Sequence, residues 1–465
     1  MQRQQILAGF DRLLQKQNRA FWPLPPTSLA LGGDDERQSR LRMNRKSREI
    51  TIQSTMSIHI QQYPSTYGEP ADETVLLSLI HSYDWAAALA RITTHPSESR
   101  IIGEQGRTPL LIACDHDAPA VVVHSLLKAF PEAAMMVGNS NMNALHITCS
   151  SNHASVHVTR ILLEAGNPIA MTMMHDIDGD TPLHTACRCG APIEVLEVLL
   201  RANPLAVHER DLEGLTPLLR LWVRYTVILG NDAIDSVNCA ADLHGELLDA
   251  WKKTELLLRC TQRGACDDDS SGHAFRAVHA ACAVDCPRSV VRIAARMYPH
   301  QLEELDEKGM TPLLIAAAAP VFKVRDLSDQ GYTFEDIIYG EETFDDQEQK
   351  NENDGDTDGF SQPPVIEIIL NANQGGASAS AGIPDSKGRL PLHVALDSQK
   401  TWKEGVKQLV EVYPEGVSIV DPTTSLYPFM LAAKGFGGDL TTIYEICRLN
   451  PSLILDIYEK RNGST

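Results

Sequence analysis

Three histidine–cysteine pairs stand out for their spacing: His146 and Cys149, His184 and Cys187, and His279 and Cys282. Three residues apart on a helix, two side chains share a face, and imidazole with thiolate is a zinc-ligand combination. Other chemistry is thinly represented. Gly435-Phe-Gly-Gly438 is a glycine cluster without the lysine and helix start that a phosphate loop needs. No Gly-x-Ser-x-Gly sequence presents a serine nucleophile. Carboxylates are abundant but spread out, and no pair is marked for acid–base work. Asn462-Gly-Ser464 fits a glycosylation acceptor by pattern alone.

The elements that position these residues emerge when the chain is slid along itself. With Pro182 as anchor, equivalent positions fall at Pro109, Ala144, Pro217, Ala277, Pro312, Pro391 and Pro428, with a looser copy at Thr74. A spacing of 35 residues recurs between Thr74 and Pro109, Pro109 and Ala144, Pro182 and Pro217, and Ala277 and Pro312. His146, His184, His279 and His393 all follow their anchors by two positions, where other units carry Leu111, Leu219, Leu314 and Met430. Cys114, Cys149, Cys187 and Cys282 follow by five, where others carry Ala317, Leu396 or Ala433. Buried cysteine behaves as a small hydrophobe. A register that exchanges histidine with leucine and cysteine with alanine is a packing register, and neither metal nor other cofactor is expected there.

Each unit repeats the same local physics. Gly106, Gly179, Gly214, Gly309 and Gly388 stand three before their anchors, where a tight turn asks for positive φ. Thr108, Thr181, Thr216 and Thr311 immediately precede the anchor and can cap a helix start, and proline fits the first helical turn. Apolar residues such as Leu110, Leu183 and Leu392 follow, then small ones such as Ala113, Ala186 and Ala395 that let helices approach. A second helix follows, as at Val156–Leu163 or Val195–Leu200, and meets Pro96, Pro131, Pro168, Pro204, Pro299, Pro414 or Pro451. The residue before proline avoids the helical region, so the helix ends there.

The run Asp176-x-x-Gly179-x-Thr181-Pro182-Leu183-His184-x-Ala186 resembles the ankyrin repeat, whose signature is Thr-Pro-Leu-His-x-Ala with a period near ~33 residues. Asp211 to Leu218 and Asp306 to Leu313 match most of it, and the resemblance runs from about Asp72 to Ser452. It implies an all-α solenoid of stacked helix-turn-helix units that binds another protein and is not an enzyme. It also implies that the four register histidines bridge neighbouring turns by hydrogen bonds. In the family, partners are held by turn tips and first helices. Carried over by register, the partner-binding residues are Glu104, Arg107, Asp115 and His116 in one unit, Ile177, Asp178, Asp180 and Arg188 in the next clear one, and Lys387, Arg389 and Asp397 near the end. Their charge changes from unit to unit, as on a specific binding face, although freely variable exposed positions would do the same.

Length and charge agree with this reading. A chain of 465 residues exceeds one compact core and must form domains or stack repeats. A net charge of −20 argues against nucleic acid and anionic membrane as broad partners. No apolar run approaches the ~20 residues of a membrane span, and ten scattered cysteines do not suggest a disulfide-stapled secreted domain. A monomer inside the cell, cytoplasmic or nuclear, is expected.

Residues 1–70 read as a disordered arm. Ile6, Phe10, Leu13 and Leu14 share a helical face beside Arg3, Arg12, Lys16 and Arg19, as in a short docking helix or an organelle transit peptide. Arg37, Arg40, Arg42, Arg45, Lys46 and Arg48 form a basic cluster that serves nuclear import, an acidic partner or simply a solvated linker. Repeats fill 71–320, with a helical insertion near 225–265. From Asp326 to Asp358 thirteen acidic residues face one lysine, so 321–361 reads as a largely disordered acidic insertion. Repeats resume over 362–455, and 456–465 is a tail. The rival functions are a regulatory subunit or enzyme whose activity resides in the insertions, and an organelle-targeted scaffold.

Overall fold

The computed structural model describes residues 74–103, 106–138, 140–151, 154–229, 234, 236–237, 239–263, 275–320, 363–373, 376–434 and 439–451. The chain divides into units 1–69 and 70–465, and every described residue belongs to the second. The N-terminal arm, Glu104, the acidic insertion, the glycine cluster at 435–438 and the tail lie outside the described residues.

The described residues are helical apart from turns and one isolated antiparallel bridge, Val137 with Asn143. They form nine successive helix pairs: α1 (Val75–His81) with α2 (Trp85–Thr94), α3 (Pro109–Asp115) with α4 (Ala120–Ala129), α5 (Ala144–Ser150) with α6 (Val156–Ala165), α7 (Pro182–Cys189) with α8 (Ile193–Ala202), α9 (Pro217–Leu229) with α10 (Gly245–Arg263), α11 (Ala277–Ala283) with α12 (Arg288–Met297), α13 (Pro312–Ala318) with α14 (Val365–Ala372), α15 (Pro391–Asp397) with α16 (Val406–Val412), and α17 (Pro428–Lys434) with α18 (Leu440–Leu449). First helices pack on first helices along α1, α3, α5, α7 and α9, and again along α11, α13, α15 and α17. Second helices do so along α2, α4, α6, α8 and α10, and along α12, α14 and α16.

Local chemistry sets the helix limits. Thr74, Thr108, Thr181 and Thr311 are N-caps whose side chains accept the N–H three residues on, and proline opens α3, α7 and α13. A further proline register, Pro119, Pro192, Pro287 and Pro364, supplies the N-caps of α4, α8, α12 and α14. The helix-ending prolines do more than terminate. Pro96, Pro131, Pro204, Pro299 and Pro414 each open a short 3₁₀ helix, and Pro168 opens one turn of α-helix. Fixed φ pre-sets that new start. The residues two and three further on, such as Ala133 and Ala134 or Ala206 and Val207, turn inward and are buried.

Two pairs depart from the common form. In the fifth, α9 and α10 are lengthened, and α10 packs on α8, α9 and α11. Lys253 fastens it: its buried Nζ lies 2.6 Å from Asp249 and donates to the Gly190 carbonyl at the end of α7 (3.3 Å), while Trp222 donates to Thr254 (3.0 Å). A cation at a helix C-terminus meets the partial negative charge of the last carbonyls. In the seventh pair the acidic insertion falls between the two helices. Helix α14, beyond it, packs on α12, α13 and α16, so it is the second helix of the pair that α13 begins.

Candidate functional site

The turns before Pro182, Pro312 and Pro391 are built by an aspartate six positions before the anchor. Asp176 Oδ1 accepts the N–H groups of Asp178 and Asp180 (both 2.9 Å), Asp306 those of Lys308 and Met310 (both 2.8 Å), and Asp385 those of Lys387 and Arg389 (both 2.8 Å). Three before the anchor the backbone is left-handed, with φ +78° at Gly179, +83° at Gly214 and +79° at Gly388. Asn141 (φ +58°) and Ser425 (φ +59°) fill the same register without glycine. Successive tips are tied together: Ile177 N–H donates to the Ser140 carbonyl (3.2 Å) and Leu212 N–H to that of Asp178 (3.1 Å).

Behind the tips stand the register histidines. In His146, His184 and His393, Nδ1 accepts the N–H of the residue before the anchor, at 3.3, 3.1 and 3.2 Å. Their Nε2–H groups donate to carbonyls of the next turn, Asp180 (2.9 Å), Leu215 (3.1 Å) and Ile419 (2.9 Å). These bonds fix the neutral tautomer. Burial pulls His146 and His184 down to about 4, and His279 and His393 down as well. His279 makes only the onward bond, to Glu304 (3.0 Å), and its Nδ1 has no partner. Its helix starts at Arg276, which has a non-extended ψ of 82° and no capping side chain. The cysteines five after the anchor are buried. Burial pushes Cys114 and Cys282 up to about 12 and raises Cys149 and Cys187 as well. Such thiols stay protonated and are poor nucleophiles and ligands. Among the described residues no group of three or more His, Cys, Asp or Glu is placed to hold a metal ion.

Nine of the residues expected to bind a partner divide into two sets. Six of them form three ion pairs in one register, between the positions two before and six after the anchor: Arg107 with Asp115 (2.9 Å), Asp180 with Arg188 (2.9 Å) and Arg389 with Asp397 (3.0 Å). The middle pair is reversed in sign. The alternation of charge from unit to unit is thus matched within each unit. Asp180 is buried, not presented at the tip; burial raises its carboxyl pKa, opposed by Arg188 and Arg220. Arg220 in turn reaches Asp211 (2.6 Å) and Glu213 (2.9 Å), and Arg389 reaches Asp421 (3.3 Å). His116 is half-buried against Tyr83 and His81. The second set faces solvent: Ile177, Asp178 and Lys387. Sequence reasoning missed Leu212. It shares the register of Ile177, five before the anchor, and the two are 75% and 63% exposed on tips that are hydrogen-bonded together. Two large apolar residues in a loop register that elsewhere carries Glu307 and Ser386 were the signal.

Among the described residues no helix is long and apolar enough to cross a membrane. Residues 121–211, from α4 to the turn before α9, match the family model of ankyrin repeats, in three copies. The chain carries an ankyrin-repeat domain over this stretch, which contains the Ile177 tip, the Asp180–Arg188 pair and the bridging His146 and His184.

Proposed function

We propose that all nine helix pairs belong to one ankyrin-type series and that the protein is a scaffold or adaptor holding a protein partner along its turn tips. The extension beyond 121–211 is supported by the left-handed residue at one register from Gly106 to Ser425 and by His393, which bridges far outside the matched stretch as His146 does inside it.

One observation carries the binding reading. Ile177 and Leu212 expose large aliphatic side chains side by side on tips held by Asx turns and inter-tip hydrogen bonds. Exposed apolar groups on a rigid frame bind without much ordering cost, and clustered ones mark interaction sites. Asp178 is exposed beside them, so the patch offers a partner aliphatic surface together with one carboxylate. Ile177→Asp with Leu212→Asp tests this. Proximity labelling in cells should lose a discrete set of partners with the double variant while thermal unfolding is unchanged. An identical labelled set would remove the tips from the binding face.

An intracellular setting belongs to the same proposal. It is supported by the free buried thiols of Cys114, Cys149, Cys187, Cys282 and Cys447, which suit a reducing compartment. Cell fractionation with a tag at the C-terminus tests it. Recovery from a sealed organelle, with residues 1–30 removed, would replace it with the targeted-scaffold reading.

A further inference from the structure

The ends of the first two helix pairs bring together a group apart from the Ile177 and Leu212 tips. His81 is the last residue of α1 and His116 caps the end of α3, the helix packed beside it. Their rings stand nearly perpendicular, with centroids 5.4 Å apart, and His116 Nε2 lies 3.3 Å from His81 Nδ1. The other nitrogen of His116, Nδ1, is 2.9 Å from the Tyr83 hydroxyl. Tyr83 occupies the tight turn after α1 in a left-handed conformation (φ +59°), and its ring packs against that of His116, with centroids 4.8 Å apart.

We propose that His81 and His116 form a two-histidine surface site for a divalent transition-metal ion of the zinc, nickel or copper class. Metal–nitrogen bonds of about 2.0–2.1 Å at a tetrahedral angle put the two ligand nitrogens about 3.3–3.4 Å apart. The observed separation already matches that edge. Imidazole nitrogen is the ligand these borderline ions share. Tyr83 supplies what a ligating histidine usually has on its far side, an acceptor for the second ring N–H. With Nδ1–H donating to the tyrosine oxygen, His116 Nε2 keeps its lone pair directed at His81. His81 then has two options. In the metal-free chain its Nδ1–H donates to His116 Nε2. When the ion enters, the His81 proton moves to Nε2 through solvent, and two neutral nitrogens face the metal without net proton release.

The remaining coordination positions face solvent, because His81 and Tyr83 are exposed. Water completes the shell, so this is an open site and weaker than a closed four-ligand one. Its structural effect is to clip the first pair to the second, and a ligand that binds only the folded form stabilises it by mass action. The two histidines lie 35 residues apart, one repeat length, and each looks solitary in the sequence. Only stacking makes them neighbours. The site is independent of the tip-binding reading and survives or fails without it.

Titration of the full-length, untagged chain with Zn²⁺, Ni²⁺ and Cu²⁺ by calorimetry tests the proposal, alongside thermal unfolding. One saturable step per chain and a rise in the unfolding midpoint are expected. The Cu²⁺ form should show two equatorial imidazole nitrogens by electron paramagnetic resonance. His81→Ala and His116→Ala should each abolish that step, Tyr83→Phe should weaken it about tenfold, and His124→Ala should leave it unchanged. A saturable step that survives both histidine substitutions, or no step at all, would show that the pair is a ring–ring hydrogen bond only and would overturn the assignment.

Discussion

At the scale of single residues, histidine gives the fold an acid limit. Burial holds His146 and His184 near 4, below the ordinary 6.5, so the unfolded chain takes up protons that the folded chain refuses. Their contribution is complete above pH 6.5 and is lost as pH falls from there to about 4, by as much as about 3 kcal/mol each. His184→Leu, the exchange that other units make naturally, should remove its share of this slope. It should also cost about 1–3 kcal/mol at neutral pH, because the Leu215 carbonyl and the Thr181 N–H lose their partner. Urea midpoints compared near neutrality and near pH ~4.5 check both effects; a variant that keeps the whole acid slope would shift responsibility to the carboxylates. The Arg107–Asp115 pair makes a milder case. Both side chains are partly exposed, so each single charge reversal should cost no more than about 1 kcal/mol and the double reversal should restore it. Asp180–Arg188 already carries the reversed order. Which positions hold charge was legible in the sequence. Their pairing was not, because the partners are eight residues apart and face each other only when turn and helix fold back together.

Among the elements, the turns are the most demanding. A Cβ at Gly179 would lie 2.7 Å from the Leu212 backbone nitrogen, whereas one at Gly309 would meet nothing closer than Ser386 Cβ at 3.7 Å. Both glycines are left-handed, so alanine should cost about 1–2 kcal/mol at either, and Gly179→Ala should cost clearly more because it also pries adjacent tips apart. Equal losses in chemical denaturation would mean that the tips are not mechanically coupled. The two units that fit the repeat poorly, at Thr74 and Ala277, are repaired from a third element. Leu76 N–H donates to Glu98 (3.1 Å) and Val278 N–H to Gln301 (3.1 Å), and both acceptors stand two after the proline of the short helix. Other units carry Ala133, Ala206 or Gly416 there. Gln301→Leu should therefore destabilise by about 1–2 kcal/mol, since it strands a buried donor, while Ala206→Leu tests only space. The sequence shows the missing proline in these units. It does not show the substitute partners, which come from 22 and 23 residues downstream.

Among the described residues, cohesion depends on each helix pair's contact with the next. The lengthened fifth pair keeps that contact through α10, which bridges α8, α9 and α11. The seventh keeps it although the acidic insertion separates its helices, because α14 packs on α12, α13 and α16. Deleting Tyr339 to Ser361 should leave the unfolding midpoint nearly unchanged: closing a shorter loop alters the entropy by only about 0.6 kcal/mol per halving of length, and removing like charges relieves repulsion in a chain of net charge −20. A fall of many degrees in calorimetry would make the segment part of the folded core.

The sequence by itself determined the repeat, its helix starts and stops, the left-handed turn residue and the packing register of the histidines and cysteines. These are local matters of φ, capping and side-chain volume, and Gly179-x-Thr181-Pro182 states them within a few residues. Apart from the bridging register histidines, which the family resemblance implies, tertiary structure decided what joins one unit to its neighbour. The alignment of Ile177 with Leu212, the approach of Arg220 to buried Asp180, and the meeting of His81 with His116 all arise from stacking. Stacking brings residues about one repeat length apart into contact, a distance across which no local rule of backbone or side chain operates.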